Sequence, residues 1–148
     1  MPTTEQPIDL ALLAFVEEFR TAAKDTQAQH HKSFPNAACN WASEILGRLL
    51  SDKGFGTWQL IKASGRLDPE GSPHTHDWLE KDGVHVDPTA GQFNDRKIFA
   101  GKELPIAHRG ESPICHVFGV YDSRDVLVEG VHHSAEGAHR IIRSRLGM

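Results

Sequence analysis

At 148 residues, with 39% hydrophobic and 24% charged side chains and a formal net charge of -4, the chain matches one ordinary globular domain able to bury a core. The acidic balance argues against a general nucleic-acid binder, and no apolar run reaches the length that crosses a membrane. Two cysteines do not make a disulfide scaffold. The segment Met1 to Gln6 lacks the basic-then-apolar pattern of a secretory signal, so a reduced, cytoplasmic setting is expected, with signal-less export as an effector the alternative.

Ile8, Leu12, Phe15, Val16 and Phe19 recur at helical spacing and predict an amphipathic helix from about Ile8 to Thr26. Residues 27–35 read as a loop. A second helix is expected from about Ala37 to Ser51, with Asn36 as its cap and Lys53-Gly54 as its stop, burying Ala42, Ile45, Leu46, Leu49 and Leu50. Thr57 to Ala63 reads as a strand, and the Gly- and Pro-bearing segment from Ser64 to Pro73 as a loop. Two further strands, about Thr75 to Lys81 and Val84 to Asp87, flank Asp82-Gly83, a strong hairpin signal. Pro88 to Ser112 reads as irregular, with a short helical piece. Ile114 to Tyr121 and Val126 to Glu129 are expected to pair across Asp122-Ser123-Arg124, with Cys115 as a strand-core residue. Ser134 caps a last helix through about Leu146. Helices followed by hairpin-linked strands predict one α+β domain, residues 1–148, with an antiparallel sheet.

The Asp82-Gly83 turn carries the functional argument. A two-residue loop there opposes Lys81 to Val84, Glu80 to His85, Leu79 to Val86 and Trp78 to Asp87. His76, Trp78, Glu80, His85 and Asp87 then share one face, and Leu79, Val84 and Val86 the other. Asp87 becomes the diagonal neighbour of His76, at roughly 7–8 Å between backbones and within side-chain reach. A carboxylate there orients one imidazole nitrogen and leaves the other for a thiol. Cys39, at the first turn of the second helix, sits where unpaired backbone N–H groups favour a thiolate and a developing oxyanion. Cys39, His76 and Asp87 are thus the candidate nucleophile, base and orienting carboxylate. Trp78, on the same face, is a candidate wall that excludes water from the site.

Plainer readings stand beside this one. Cys39 could be an inert buried cysteine, and His76 and Asp87 could lie on a solvated sheet face. His74 and His76 alternate on one strand and could ligate zinc with a third group, although no other metal motif supports this. Arg140, Arg143 and Arg145 read as a solvated helix face rather than a basic patch.

The stretch Asn36-Ala37-Ala38-Cys39-Asn40-Trp41-Ala42-Ser43, then His76-Asp77-Trp78-Leu79-Glu80 and Val86-Asp87-Pro88-Thr89, resembles the transglutaminase-like branch of the papain-like cysteine enzymes. The resemblance spans about residues 36 to 93. It implies a papain-like domain in which the Cys-bearing helix packs on an antiparallel sheet. It also implies a Cys39–His76–Asp87 triad acting through a thioester on an amide bond, as a peptidase, amidase or deamidase. Asn36, beside the backbone N–H of Cys39, is then a candidate oxyanion donor. The implied substrate is a peptide, protein or other amide, with no metal, no cofactor, no nucleic acid and no membrane; a non-catalytic binding module on the same fold is the alternative.

Overall fold

A computed structural model describes residues 9–26, 39–68, 70–94, 96–99, 104–110, 112–128 and 135–148, with the backbone alone for Asp25, Thr26, Cys39, Asn40 and Lys97. Among the described residues three α-helices and five strands run in the order α1 (Leu10–Thr26), α2 (Cys39–Asp52), β1 (Gln59–Gly65), β2 (His74–Lys81), β3 (Val84–Val86), β4 (Ala107–Arg109), β5 (Phe118–Asp125) and α3 (Glu136–Arg145). The strands form one sheet in the order β4-β3-β2-β1-β5, and every neighbouring pair is antiparallel. The expected α+β class with a C-terminal helix is what is observed.

Each helix follows from its apolar stripe. Phe15, Val16 and Phe19 of α1 are buried together with Ala42, Ile45, Leu46, Leu49 and Leu50 of α2 and with Ala138 and Ile142 of α3. The α1 helix starts two residues later than its periodicity suggests, because Asp9 Oδ1 accepts from Ala11 N at 2.8 Å and so serves as the cap. The stop at Lys53-Gly54 is as expected. Gly54 adopts φ +93°, and Phe55 N returns to Leu50 O at 2.9 Å, which satisfies the carbonyls at the helix end. The expected caps Asn36 and Ser134, and Ile8, lie outside the described residues.

Helices cover one face of the sheet, where Leu60, Leu79, Val84, Val86 and Ala107 join the helical core. The other face has its own core of Ile61, Ala63, Trp78, Phe93, Ile114 and Phe118, supplied by loops and 3₁₀ turns (Ala90–Phe93, Pro113–His116) rather than helices. Both faces are therefore buried, so the solvated-face reading of His76 and Asp87 does not hold: each is 0% exposed.

The expected hairpin over residues 114–129 is corrected. Ile114 and Cys115 lie on a 3₁₀ turn, because Pro113 opens it and Ser112 Oγ caps Ile114 N at 3.2 Å. Asp122-Ser123-Arg124 is not a turn but part of β5, which runs along β1 as an edge strand with a bulge at Tyr121, where Lys62 pairs with Asp122 and Ala63 with Val120. Polar side chains are tolerated there because that edge faces solvent. The segment from Pro88 to Ser112, read as irregular, also holds β4, whose three residues are too few to show an alternation.

The approach of β5 to β1 is close at Gly65, where an added Cβ would lie 2.2 Å from Val117 O. Gly65→Ala should therefore push the 113–118 segment off β1 and cost roughly 1–3 kcal/mol, read as a lower thermal midpoint. An unchanged midpoint would contradict this packing.

Candidate functional site

The site is built on the β2–β3 hairpin. Asp82 and Gly83 take φ +50° and +79°, the left-handed pair that a tight two-residue turn requires. The resulting register is Leu79 with Val86, Glu80 with His85 and Lys81 with Val84, as the turn chemistry predicts. β3 ends at Val86, and Asp87 N continues toward β4 by donating to Ile106 O at 2.7 Å. This carries Asp87 back over His76.

His76 Nε2 and Asp87 Oδ2 are 2.6 Å apart, and both side chains are fully buried. The carboxylate is itself held. Its Oδ1 accepts from Thr89 N at 3.1 Å and from Thr89 Oγ1 at 3.3 Å, and Gln92 Nε2 donates to Thr89 Oγ1. Arg20 of α1 donates to Pro88 O at 3.2 Å, which ties this loop to the helical side. With Oδ2 accepting, the ring proton belongs on Nε2, and Nδ1 is the nitrogen left with a lone pair.

The imidazole sits in an aromatic box. Phe93 meets it edge-on at 4.8 Å between centroids, Phe118 lies at 5.5 Å and Trp78 at 5.8 Å. Trp78 thus lies beside the His76 ring. Phe93, Phe118 and Thr89 were not singled out from sequence as parts of this site. The Asp-Pro-Thr string was the available signal for Thr89, whereas the two phenylalanines reach His76 through tertiary packing alone.

Cys39 opens α2. One helical turn on, Ser43 Oγ donates to Asp77 O at 3.2 Å, which ties the first turns of α2 to the backbone of β2. The α2 helix covers the face of β2 that carries Leu79, opposite the face carrying His76. Thus His76 and Asp87 are brought together, Cys39 is placed by its backbone, and Asn36 lies outside the described residues.

A cysteine–histidine contact joins the Pro113–His116 turn to the same hairpin. Cys115 Sγ is 3.8 Å from His85 Nδ1, which corrects its reading as a strand-core residue. His85 stacks on Trp78 at 5.3 Å and 21°. Burial lowers its pKa to about 4, against the opposing pull of Asp87 and with help from His108 and His76. Its Nε2 has no hydrogen-bond partner among the described residues. A neutral ring with so low a pKa and no carboxylate behind it is a poor base near neutrality. The two histidines therefore differ in kind: His76 is backed by a carboxylate and His85 is not.

His74 is exposed and His76 is turned to Asp87. Among the described residues the ligand-capable side chains that converge are instead Glu80, His85 and Cys115. On α3, Arg140 and Arg145 are exposed and Arg143 pairs with Asp52 at 2.6 Å, which fits a solvated helix face. No helix among the described residues is long and apolar enough to cross a membrane.

The fold and site define an α+β chain with a buried histidine–aspartate pair on a hairpin. No family model, no curated protein and no solved structure matches this chain, so these comparisons add nothing to the transglutaminase-like resemblance.

His85 supplies a pH prediction. Its folded pKa lies below the ordinary 6.5, so between about 6.5 and 4 the unfolded chain binds the extra proton and stability falls on acidification. The full difference is of the order of 3 kcal/mol. Unfolding by urea in chelator-treated buffer should show a shallower loss over this window in His85→Gln than in the unaltered protein. Equal slopes would contradict the assignment.

Proposed function

We propose that this protein is a cysteine hydrolase or acyltransferase acting on an amide bond, with Cys39 as nucleophile, His76 as base and acid, and Asp87 as the residue that orients His76. The observation that carries the reading is the buried 2.6 Å contact of His76 Nε2 with Asp87 Oδ2. A buried carboxylate anchored by Thr89 and aimed at one ring nitrogen fixes the tautomer whose other nitrogen takes a proton. The start of α2 at Cys39 adds unpaired N–H groups and the positive end of a helix dipole, which favour thiolate over thiol.

In the first half-reaction the Cys39 sulfur attacks the amide carbon as its proton passes to His76 Nδ1. The imidazolium is stabilised by Asp87. The tetrahedral adduct collapses to a thioester, the C–N bond breaks, and the amine leaves with the proton that His76 held. In the second half, water or an acceptor amine gives its proton to His76, attacks the thioester carbon and releases Cys39. The backbone N–H of Cys39 would meet the oxyanion, with Asn36 as the proposed second donor. Trp78, Phe93 and Phe118 keep bulk water from the base. The substrate class is a peptide, a protein side-chain amide or another amide.

The competing reading is a non-catalytic binding module on this fold. It is favoured by the packing of α2 on the face opposite His76. Turnover of activated acyl esters and an amide panel separates the two. The enzyme reading expects Cys39→Ala to abolish turnover and a thioester adduct to be trapped on Cys39 in the unaltered protein. It expects Asp87→Asn to lower kcat by roughly 10²–10⁴-fold. Turnover that survives Cys39→Ala would sink it.

A further inference from the structure

At the far end of the same hairpin face, Glu80, His85 and Cys115 converge with no part in the proposed acyl chemistry. We infer that these three side chains form a zinc site. One ligand atom from each lies within 4.8 Å of the others. Cys115 Sγ is 3.8 Å and Glu80 Oε1 3.9 Å from the same nitrogen, His85 Nδ1. For tetrahedral zinc with ordinary bond lengths the sulfur–nitrogen and nitrogen–oxygen separations are about 3.6 and 3.4 Å. The Cys115–His85 and Glu80–His85 pairs need to contract by a few tenths of an ångström, and the Cys115–Glu80 pair, which lies within 4.8 Å, by at most about 1.3 Å. The Glu80 and Cys115 side chains are only partly buried, so they can supply these shifts.

The donor chemistry suits the ion. Thiolate, imidazole and carboxylate together match zinc better than calcium or magnesium, which take oxygen ligands. Three protein ligands leave a fourth position open. Here all three residues line a cavity of about 450 Å³ together with Trp78, Gly119 and Val120, which provides an entry path and room for a water ligand. His85 is 1% exposed and its ring is held against Trp78, so one ligand is preorganised. Trp78 Nε1 donates to Glu80 Oε1 at 2.9 Å and positions the carboxylate as an outer partner does at metal centres.

The ion would clip the Pro113–His116 turn to the β2–β3 hairpin, two strands away across the sheet from the edge where β5 runs. It would thereby brace the loop layer over His76. This inference does not depend on Cys39 being a nucleophile.

Cobalt(II), added to chelator-stripped protein, is the probe. The expected result is one cobalt per chain, with a thiolate-to-cobalt charge-transfer band, tetrahedral d–d absorption and quenching of Trp fluorescence, all reversed by one equivalent of zinc. Cys115→Ser should remove the charge-transfer band. Glu80→Gln, at a partly exposed position whose substitute still accepts from Trp78, should keep the native circular dichroism and weaken binding roughly tenfold or more. Cys39→Ala should change nothing in these spectra. No thiolate band up to millimolar cobalt overturns the site, as does a band that survives Cys115→Ser or vanishes in Cys39→Ala. If Cys115→Ser does not fold, an unchanged affinity in Glu80→Gln overturns it alone.

Discussion

The buried hydrogen bond between His76 and Asp87 is the constraint on which the rest of the arrangement depends. Two polar side chains, both 0% exposed, are tolerable in a core only if they satisfy each other. Their meeting is set by a turn of two residues. One residue more or less between Lys81 and Val84 would send Asp87 to the helix-covered face and strand His76 among phenylalanines. The structure guards this register twice over, through the left-handed Asp82-Gly83 pair and through the continuation of Asp87 onto Ile106.

Around that bond the two sides of the sheet divide the work. The helical side supplies bulk burial through α1, α2 and α3. The loop side supplies precision: Thr89 holds the carboxylate, Phe93 and Phe118 hold the ring, and the 3₁₀ turn at Pro113–His116 brings Cys115 over the hairpin's end. Trp78 stands between the two histidines, near His76 on one side and stacked on His85 on the other. The same hairpin thus presents a carboxylate-backed imidazole and, a few residues along, an unbacked one grouped with a thiol and a glutamate. A carboxylate behind the ring would suit it to carry a proton; a thiol and a carboxylate in front of it would suit it to hold a metal.

Much of this was legible in the residues, for identifiable reasons. Period-3.6 stripes in α1 and α2 and the Asp-Gly turn are local signals, and each produced the expected element. The face shared by His76, Trp78, His85 and Asp87 follows from that turn by alternation alone. What was not legible depends on distant contacts. The branched and aromatic run Ile114 to Phe118 reads as strand, yet Pro113 and the Ser112 cap wind its first residues into a turn. The approach of Cys115 to His85, and of Phe93 and Phe118 to His76, arises from loop packing that has no periodic signature. The local propensity was right for Phe118 to Tyr121, lost before them where a cap competed with it, and stopped short at Asp122-Ser123-Arg124, which pair with β1 instead of turning.

The central claim is that His76, held by Asp87, activates Cys39. It is tested most directly by the pH dependence of Cys39 alkylation with iodoacetamide, read peptide by peptide so that Cys39 and Cys115 are separated. An activated thiol reacts faster than a free thiol near and below neutral pH, and His76→Gln should return Cys39 to the rate and pH profile of an ordinary cysteine. A Cys39 that reacts no faster than a free thiol in the unaltered protein, and at the same rate in His76→Gln, would contradict the account.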